Sequence, residues 1–349
     1  MDTGVGQFPT RVQSAETGAL EDSSRLVSQN SLGYLLGLIV LVTVTASAAG
    51  VGHVPAFETF ALIFSSIVIE ALPFILLGAL VSAALAVFVS ASHFARIARL
   101  PLAVQVPGAA LGGFAFPVCE CGSVPVARRL ISQGVHPAAG VTFMLASPVL
   151  NPLVLASTWV AYGGGTAGGE MVAGRALLGL AIAAAVGLVV GRTAGGVLRA
   201  RSGEHEHAEA GSVAGAGRGA TFAEHVVSDF LFMGKFIVLG AGLSALLQTA
   251  VPESVIGALG GTAVLSALAL MAVAFVLSLC SEADAFIAAS FTAFPLGAQL
   301  AFLVFGPIAD TKLAVLYGAT FRRWFLLRLV LTAAPLIVIG SLVFEALVR

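Results

Sequence analysis

Apolar residues run through this chain in long blocks, and polar residues enter only as breaks between or within them. Seven blocks are long enough to cross a bilayer, which takes about 20 apolar residues in a helix. They lie at about 32–52, 57–88, 137–161, 171–191, 225–250, 297–320 and 324–346. Two further apolar segments, about 103–134 and 257–294, are interrupted by cysteine and acidic residues. The blocks do not alternate polar with apolar positions, so they predict helices and not a transmembrane barrel. Residues 1–28 are polar and mixed in charge and read as a disordered or interfacial leader. No short apolar core follows a basic start there, as a cleavable signal would require. Residues 196–222 are the long polar interior stretch and read as a cytoplasmic linker between a first membrane half (29–195) and a second (223–349).

The halves resemble each other. PFILLGALVSAAL from Pro73 and KFIVLGAGLSALL from Lys235 agree at eight of thirteen positions, among them Gly78 with Gly240 and Ser82 with Ser244. Further on, each copy has an apolar run broken by cysteine and acid, FPVCECGSVP at 116–125 and LSLCSEADAF at 277–286. Each then reaches a proline inside a hydrophobic helix, SPVLNP at 147–152 and GPIAD at 306–310. Two registers compete: one pairs Cys121 with Cys280 and Asn151 with Asp310, the other Glu120 with Glu282.

Basic residues orient the chain, because cytoplasmic loops carry the excess of Lys and Arg. Arg96 and Arg99, the arginines of the central linker, and Arg322 with Arg323 mark one side; His53–Ala56, Gly163–Glu170 and Pro252–Ser254 lack Lys and Arg and mark the other. The N-terminus then lies in the cytoplasm. The 57–88 span ends on the side where its copy at 225–250 begins, so the repeats (the first about 57–191) are inverted. Parity makes each cysteine segment a hairpin that leaves on the side it entered, turning near Cys119–Pro125 and near Cys280–Asp284. Irregular backbone at membrane depth is tolerated only where protein or a water-filled cavity surrounds it. The fold expected is an all-α integral membrane protein, a polytopic helical bundle with two inverted-topology repeats and two re-entrant or broken-helix hairpins.

Composition agrees. The 349 residues are 58% hydrophobic and 10% charged, with a mean hydropathy of +1.01, against roughly 45–50% apolar and about 25% charged residues in soluble domains. The net charge of −1 points to no charged partner, and nucleic acid is not expected. Three cysteines are too few for a disulfide scaffold. The 40 glycines fit closely packed membrane helices. No GxxxxGK[ST] loop and no soluble catalytic domain are present, so neither an ATP-driven single-chain pump nor an enzyme is expected, and no cofactor or bound metal is implied.

The candidate chemistry centres on Cys119-Glu120-Cys121-Gly122-Ser123. Thiolates are soft donors that suit thiophilic ions and metalloids, and a helix starting near Ser123 would favour an anion or a thiolate at its N-terminus. A buried free cysteine is equally a small apolar side chain, and one residue between two cysteines makes a disulfide strained. Cys119 and Cys121 would point to opposite sides of an extended backbone. Cys280 sits at the equivalent break and can complete a set of two or three thiols. Glu70, Glu120, Glu282, Asp284 and Asp310 lie in apolar surroundings, as do Lys235 and Lys312. Ionisable groups at membrane depth are costly and are functional candidates; Glu120, Glu282 and Asp284 suit proton coupling, while Lys312 and Asp310 also fit a simple structural pair. Ser147-Pro148-Val149-Leu150-Asn151-Pro152 breaks a span in its middle, and Pro148, Asn151 and Pro152 read as cavity-lining or as a packed kink. Arg128 and Arg129 read as cytoplasmic anchors, and His205 and His207 as part of a solvated charge run.

The run PVCECGSVPVARRLISQGVHPAAGVTFMLASPVLNPLVL (117–155) resembles the signature of the predicted permease family of YraQ-type membrane proteins, which includes the ArsP organoarsenical efflux permeases. The resemblance extends over about residues 55–346. It implies a multi-pass permease of the bacterial cytoplasmic membrane. In the arsenical branch it implies export of trivalent organoarsenicals, with Cys119 and Cys121 as metalloid contacts. The expected partners are the lipid bilayer and a small-molecule or metalloid solute, with a homo-oligomer left open. A carrier of another solute (a metal ion or a small thiol), a membrane thiol–disulfide redox protein using Cys119 and Cys121, and a non-transporting membrane protein are the competing readings.

Overall fold

The computed structural model describes residues 55–116, 118–192, 197–199, 218–250 and 262–348. The leader, the 32–52 span, most of the polar linker (196 and 200–217, with His205 and His207), and Pro252–Ser254 lie outside the described residues. The chain divides into two compact units, Met1–Glu58 and Thr59–Arg349, and the site lies in the second.

The described residues form helices, and no strand occurs among them. They are α1 Pro55–Phe88, α2 Ala91–Ala98, α3 Leu102–Ala115, α4 Glu120–Ser132, α5 Pro137–Leu150, α6 Pro152–Ala161 and α7 Gly165–Gly191. After the linker come α8 Arg218–Ala250, α9 Ala263–Leu277, α10 Asp284–Ser290, α11 Leu296–Phe305, α12 Thr311–Thr320 and α13 Trp324–Val348. Five helical stretches are long and apolar enough to cross a membrane: Ala56–Phe88, Pro137–Ala161, Gly165–Gly191, Gly219–Thr249 and Trp324–Val348. The 297–320 block is cut into α11 and α12.

Two helices carry the core. From Ala138 to Leu150 every residue of α5 is buried, and so is every residue of α11 from Gly297 to Phe305. α5 packs between α3 and α7, and α11 between α9 and α13. The outer helices turn large apolar side chains outward, including Leu62, Ile69, Leu177, Leu331 and Leu347. Meanwhile Arg175, Lys312 and Glu120 are buried. Apolar groups outside and charges inside is the arrangement that lipid imposes, because the hydrocarbon solvates the first and not the second.

Small residues set how close the helices come. A Cβ on Gly187 or Gly191 of α7 would strike Thr142 or Ala138 of α5; spaced four apart on one face, these glycines let the two backbones touch. α1 and α8 run antiparallel. Phe88 meets Phe222, Ser82 Oγ donates to Asp229 Oδ2 at 2.8 Å, and Phe64 lies against Gly242.

Each interruption is satisfied locally. Pro148 cannot donate to the Met144 carbonyl one turn back, and the Ser123 hydroxyl reaches that carbonyl at 3.0 Å. α5 stops at Asn151, whose side chain accepts from Leu153 N at 3.0 Å and opens α6 with Pro152 at its first position. Asn151→Ala removes this cap and is expected to cost about 1 kcal/mol, read as a lower melting midpoint in detergent; no change would mean that packing alone fixes the break.

Candidate functional site

The second cysteine segment shows how unwound backbone survives here. α9 ends at Leu277, and Ser278 takes a left-handed conformation (φ 50°). Helix ends leave carbonyls without intrahelical partners, and side chains answer them in series. Thr311 Oγ1 donates to Phe275 O at 2.8 Å, Ser244 Oγ to Val276 O at 2.9 Å, and Gln248 Nε2 to Leu277 O at 3.0 Å. Lys312 Nζ donates to Ser278 O at 3.0 Å and to Leu279 O at 3.2 Å. Ser278 Oγ in turn accepts from the backbone N–H groups of Thr311 (3.0 Å) and Lys312 (3.3 Å), tying the turn to the start of α12.

Lys312 also faces two carboxylates. Its Nζ lies 2.9 Å from Glu120 Oε1 and 3.5 Å from Asp310 Oδ2. Asp310 caps α12 through Leu313 N at 2.6 Å. Lys312 and Asp310, candidates for function or for a simple pair, do approach each other, but the shorter contact of Lys312 is with Glu120. The second Glu120 oxygen accepts from Ser281 Oγ at 2.9 Å. The backbone carbonyl of Ser281 accepts from Arg175 Nη2 at 3.2 Å, and Arg175 grips Asp284 with both nitrogens at 2.9 and 2.8 Å. Arg175 Nη1 also reaches Thr158 Oγ1 at 2.9 Å. A continuous buried chain of polar groups thus runs Thr158–Arg175–Asp284 and Ser281–Glu120–Lys312–Asp310. Its members come from α6, α7, the 278–283 turn, α10, α4 and α12.

The three cysteines sit against this chain. All are free and buried. Cys119 is the N-cap of α4, and Cys121 stands in its first turn, on the other side of Glu120. Cys280 stands between Leu279, whose carbonyl accepts from Lys312 Nζ at 3.2 Å, and Ser281, whose hydroxyl donates to Glu120 Oε2 at 2.9 Å. Among the described residues no group of three His, Cys, Asp or Glu side chains is placed to hold a metal ion. Glu282 is half-buried; its carboxylate oxygens are inaccessible, and among the described residues no donor from another residue reaches them.

Several local expectations change. The first cysteine turn does not extend through Pro125: α4 begins at Glu120, three residues before the expected start, with Val118 and Cys119 outside the helix. Because the backbone there enters a helix, Cys119 and Cys121 do not diverge as they would along a strand. Gly122 serves close approach and not a bend, since a Cβ there would lie 3.0 Å from Phe74 O and 3.3 Å from Gly78 Cα. Pro148 and Asn151 are buried, whereas Pro152 is exposed. Ser147 Oγ is buried and meets no partner among the described residues. Lys235 stacks over Phe232 and Phe236, 5.0 Å from each ring. Arg129 approaches Asp229 at 3.9 Å, in keeping with an anchor at a helix end.

A bundle of long apolar helices with broken helices and ionisable groups buried between them defines a polytopic α-helical membrane protein. The chain belongs to a predicted permease family (ArsP_1), which it matches over residues 56–346. It is 39% identical over 286 residues to the UPF0718 protein YcgR of Bacillus subtilis, covering 81% of this chain and 96% of that protein. It is 32% identical over 283 residues, 80% of this chain and 93% of the other, to a Streptococcus mutans protein named "putative two-component membrane permease complex subunit". No solved structure matches the chain.

Proposed function

We propose that this permease is a secondary transporter that exports a small thiophilic solute, such as a trivalent organoarsenical, across the bacterial cytoplasmic membrane. The observation that carries the reading is the meeting of three buried thiols with the Glu120–Lys312–Asp310 cluster at two interrupted helices. Soft sulfur donors select the solute. Cys119 and Cys121 bind it, with Cys280, Glu120, Gly122, Ser123, Pro148, Asn151, Glu282 and Asp310 shaping the site.

Two cations, Arg175 and Lys312, face Glu120, Asp284 and Asp310, so one carboxylate in the cluster exceeds the positive charge. Glu282 adds another nearby. In a medium that solvates charge poorly, such an excess is relieved by taking up a proton. Glu282 suits that role best, since Asp284 is held by Arg175 and Glu120 by Lys312 and Ser281. The matched segments 57–191 and 223–349 act as inverted repeats that rock about the two turns, with 196–222 as a cytoplasmic linker, 1–28 as a leader, and the N-terminus inside.

Methylarsenite accumulation in everted vesicles under an imposed proton gradient tests this. Uptake by the intact chain is expected, with a drop of about a hundredfold in Cys119→Ser/Cys121→Ser, on the scale of losing the contacts that hold a bound ligand. Absence of uptake by well-folded intact protein rejects the arsenical. A second reading, from the Streptococcus relative's printed name, is that the chain works as one subunit of a two-component permease complex; uptake that appears only on coexpression with a partner would favour it.

A further inference from the structure

Arg175 lies outside the cysteine motifs, the proline breaks and the acids discussed as binding or coupling groups. It stands eleven residues into α7 between apolar sequence neighbours, is completely buried, and spends four hydrogen bonds on three other elements, α6, the 278–283 turn and α10. A buried guanidinium is expensive unless its partners are built around it. Three of those four bonds go to the Ser281–Asp284 stretch: two to the Asp284 carboxylate and one to the Ser281 carbonyl. That stretch adjoins Cys280, and it carries the Ser281 hydroxyl that holds Glu120 Oε2. Two ion pairs therefore cross between the segments before and after the linker in opposite senses. Acid from the first segment meets base from the second at Glu120–Lys312, and base from the first meets acid from the second at Arg175–Asp284. Ser281 belongs to both, through its side chain and its backbone.

We infer that Arg175 is the positioning residue of the thiol site: clamped to Asp284 and the Ser281 carbonyl, it fixes the turn that presents Cys280 and holds the Glu120 carboxylate against Lys312. It touches no solute itself. A fork of donors in one plane is needed to serve a carboxylate bidentately and a carbonyl at once, which a lysine ammonium does not supply. The inference concerns the same site as the transport reading, yet it is testable without any substrate.

The chain has only three cysteines. In the full-length Cys119→Ser/Cys121→Ser background, Cys280 is the sole thiol, and its modification by N-ethylmaleimide in membranes reports how often the turn opens. Arg175→Met is expected to label at least about tenfold faster than its parent, because labelling of a buried group follows the population of the open form. Arg175→Lys is expected to fall between the two, and the reciprocal Arg175→Asp/Asp284→Arg exchange to return labelling toward the slow parental rate. Should Arg175→Met fail to fold, as judged by its elution profile and melting midpoint, the lysine variant carries the test. Folded Arg175→Lys or Arg175→Met protein that labels at the parental rate overturns the inference, and so does a folded exchange variant that stays as fast as Arg175→Met. Methylarsenite transport is read separately: faster labelling in a protein that moves no methylarsenite keeps the positioning role and removes the arsenical.

Discussion

Replacing Lys312 with methionine is expected to destabilise the protein by about 3–5 kcal/mol, the range found when one partner of a buried ion pair is removed. The side chain lengths are similar, so the loss is electrostatic. Glu120 Oε1 and Asp310 Oδ2 lose their cation at 2.9 and 3.5 Å, and the Ser278 and Leu279 carbonyls lose their donor in the same step. The measurement is the melting midpoint in detergent, with Lys312→Met/Glu120→Gln beside the single variant. Neutralising Glu120 removes one of the stranded charges, so the double variant is expected to melt above Lys312→Met. A single variant that melts with the parent would mean the ammonium does not hold these carboxylates.

Gly240→Ala is expected to be nearly as damaging. A Cβ at Gly240 falls 2.6 Å from Lys312 Cα and 3.1 Å from its carbonyl oxygen, both backbone atoms that cannot swing aside. Relief requires α8 and α12 to separate, at a cost of about 1–3 kcal/mol for an overpacked contact, and it carries Lys312 away from Glu120. Gly234→Ala on the same helix is the control, because nothing lies within 4 Å of a Cβ there. In that open position alanine is the better helix former by about 1 kcal/mol, so its midpoint is expected to hold or rise. Equal behaviour of the two variants would remove the argument that close approach places Lys312. Gly78, the residue matched to Gly240 between the halves, meets the Gly122 backbone in the same way, so both matched helices press on a site element through a glycine.

Much of the framework was legible because lipid writes it into composition. The blocks at 57–88, 137–161, 171–191, 225–250 and 324–346 each correspond to a long helical stretch, and the proline breaks at 147–152 and 306–310 fall where α5 gives way to α6 and α11 to α12. The Cys119–Ser123 run and the acids stood out because polar residues are rare in such surroundings. The partnerships were not legible. Glu120 and Lys312 are 192 residues apart, and no local pattern specifies which acid a buried lysine chooses. Arg175 escaped notice for a different reason. Arg175 lies only four residues inside the span read from 171; with α7 starting at Gly165 it lies roughly 15 Å along the helix, at 1.5 Å per residue. Its signal was an arginine with apolar neighbours on both sides. The helix expected near Ser123 starts at Glu120 instead, and it takes Pro125 into its interior.

Ser278 has a consequence for which substitutions this permease can accumulate. Its left-handed backbone disfavours most residues with a Cβ, β-branched ones above all, and favours glycine, while its hydroxyl receives two backbone N–H groups that glycine would leave bare. Threonine keeps the hydroxyl but brings a β-branch that the same backbone resists. Glycine and threonine each answer one demand and fail the other, so the replacements left open at 278 are asparagine and aspartate, whose short side chains tolerate the left-handed region and bring an acceptor oxygen for the start of α12.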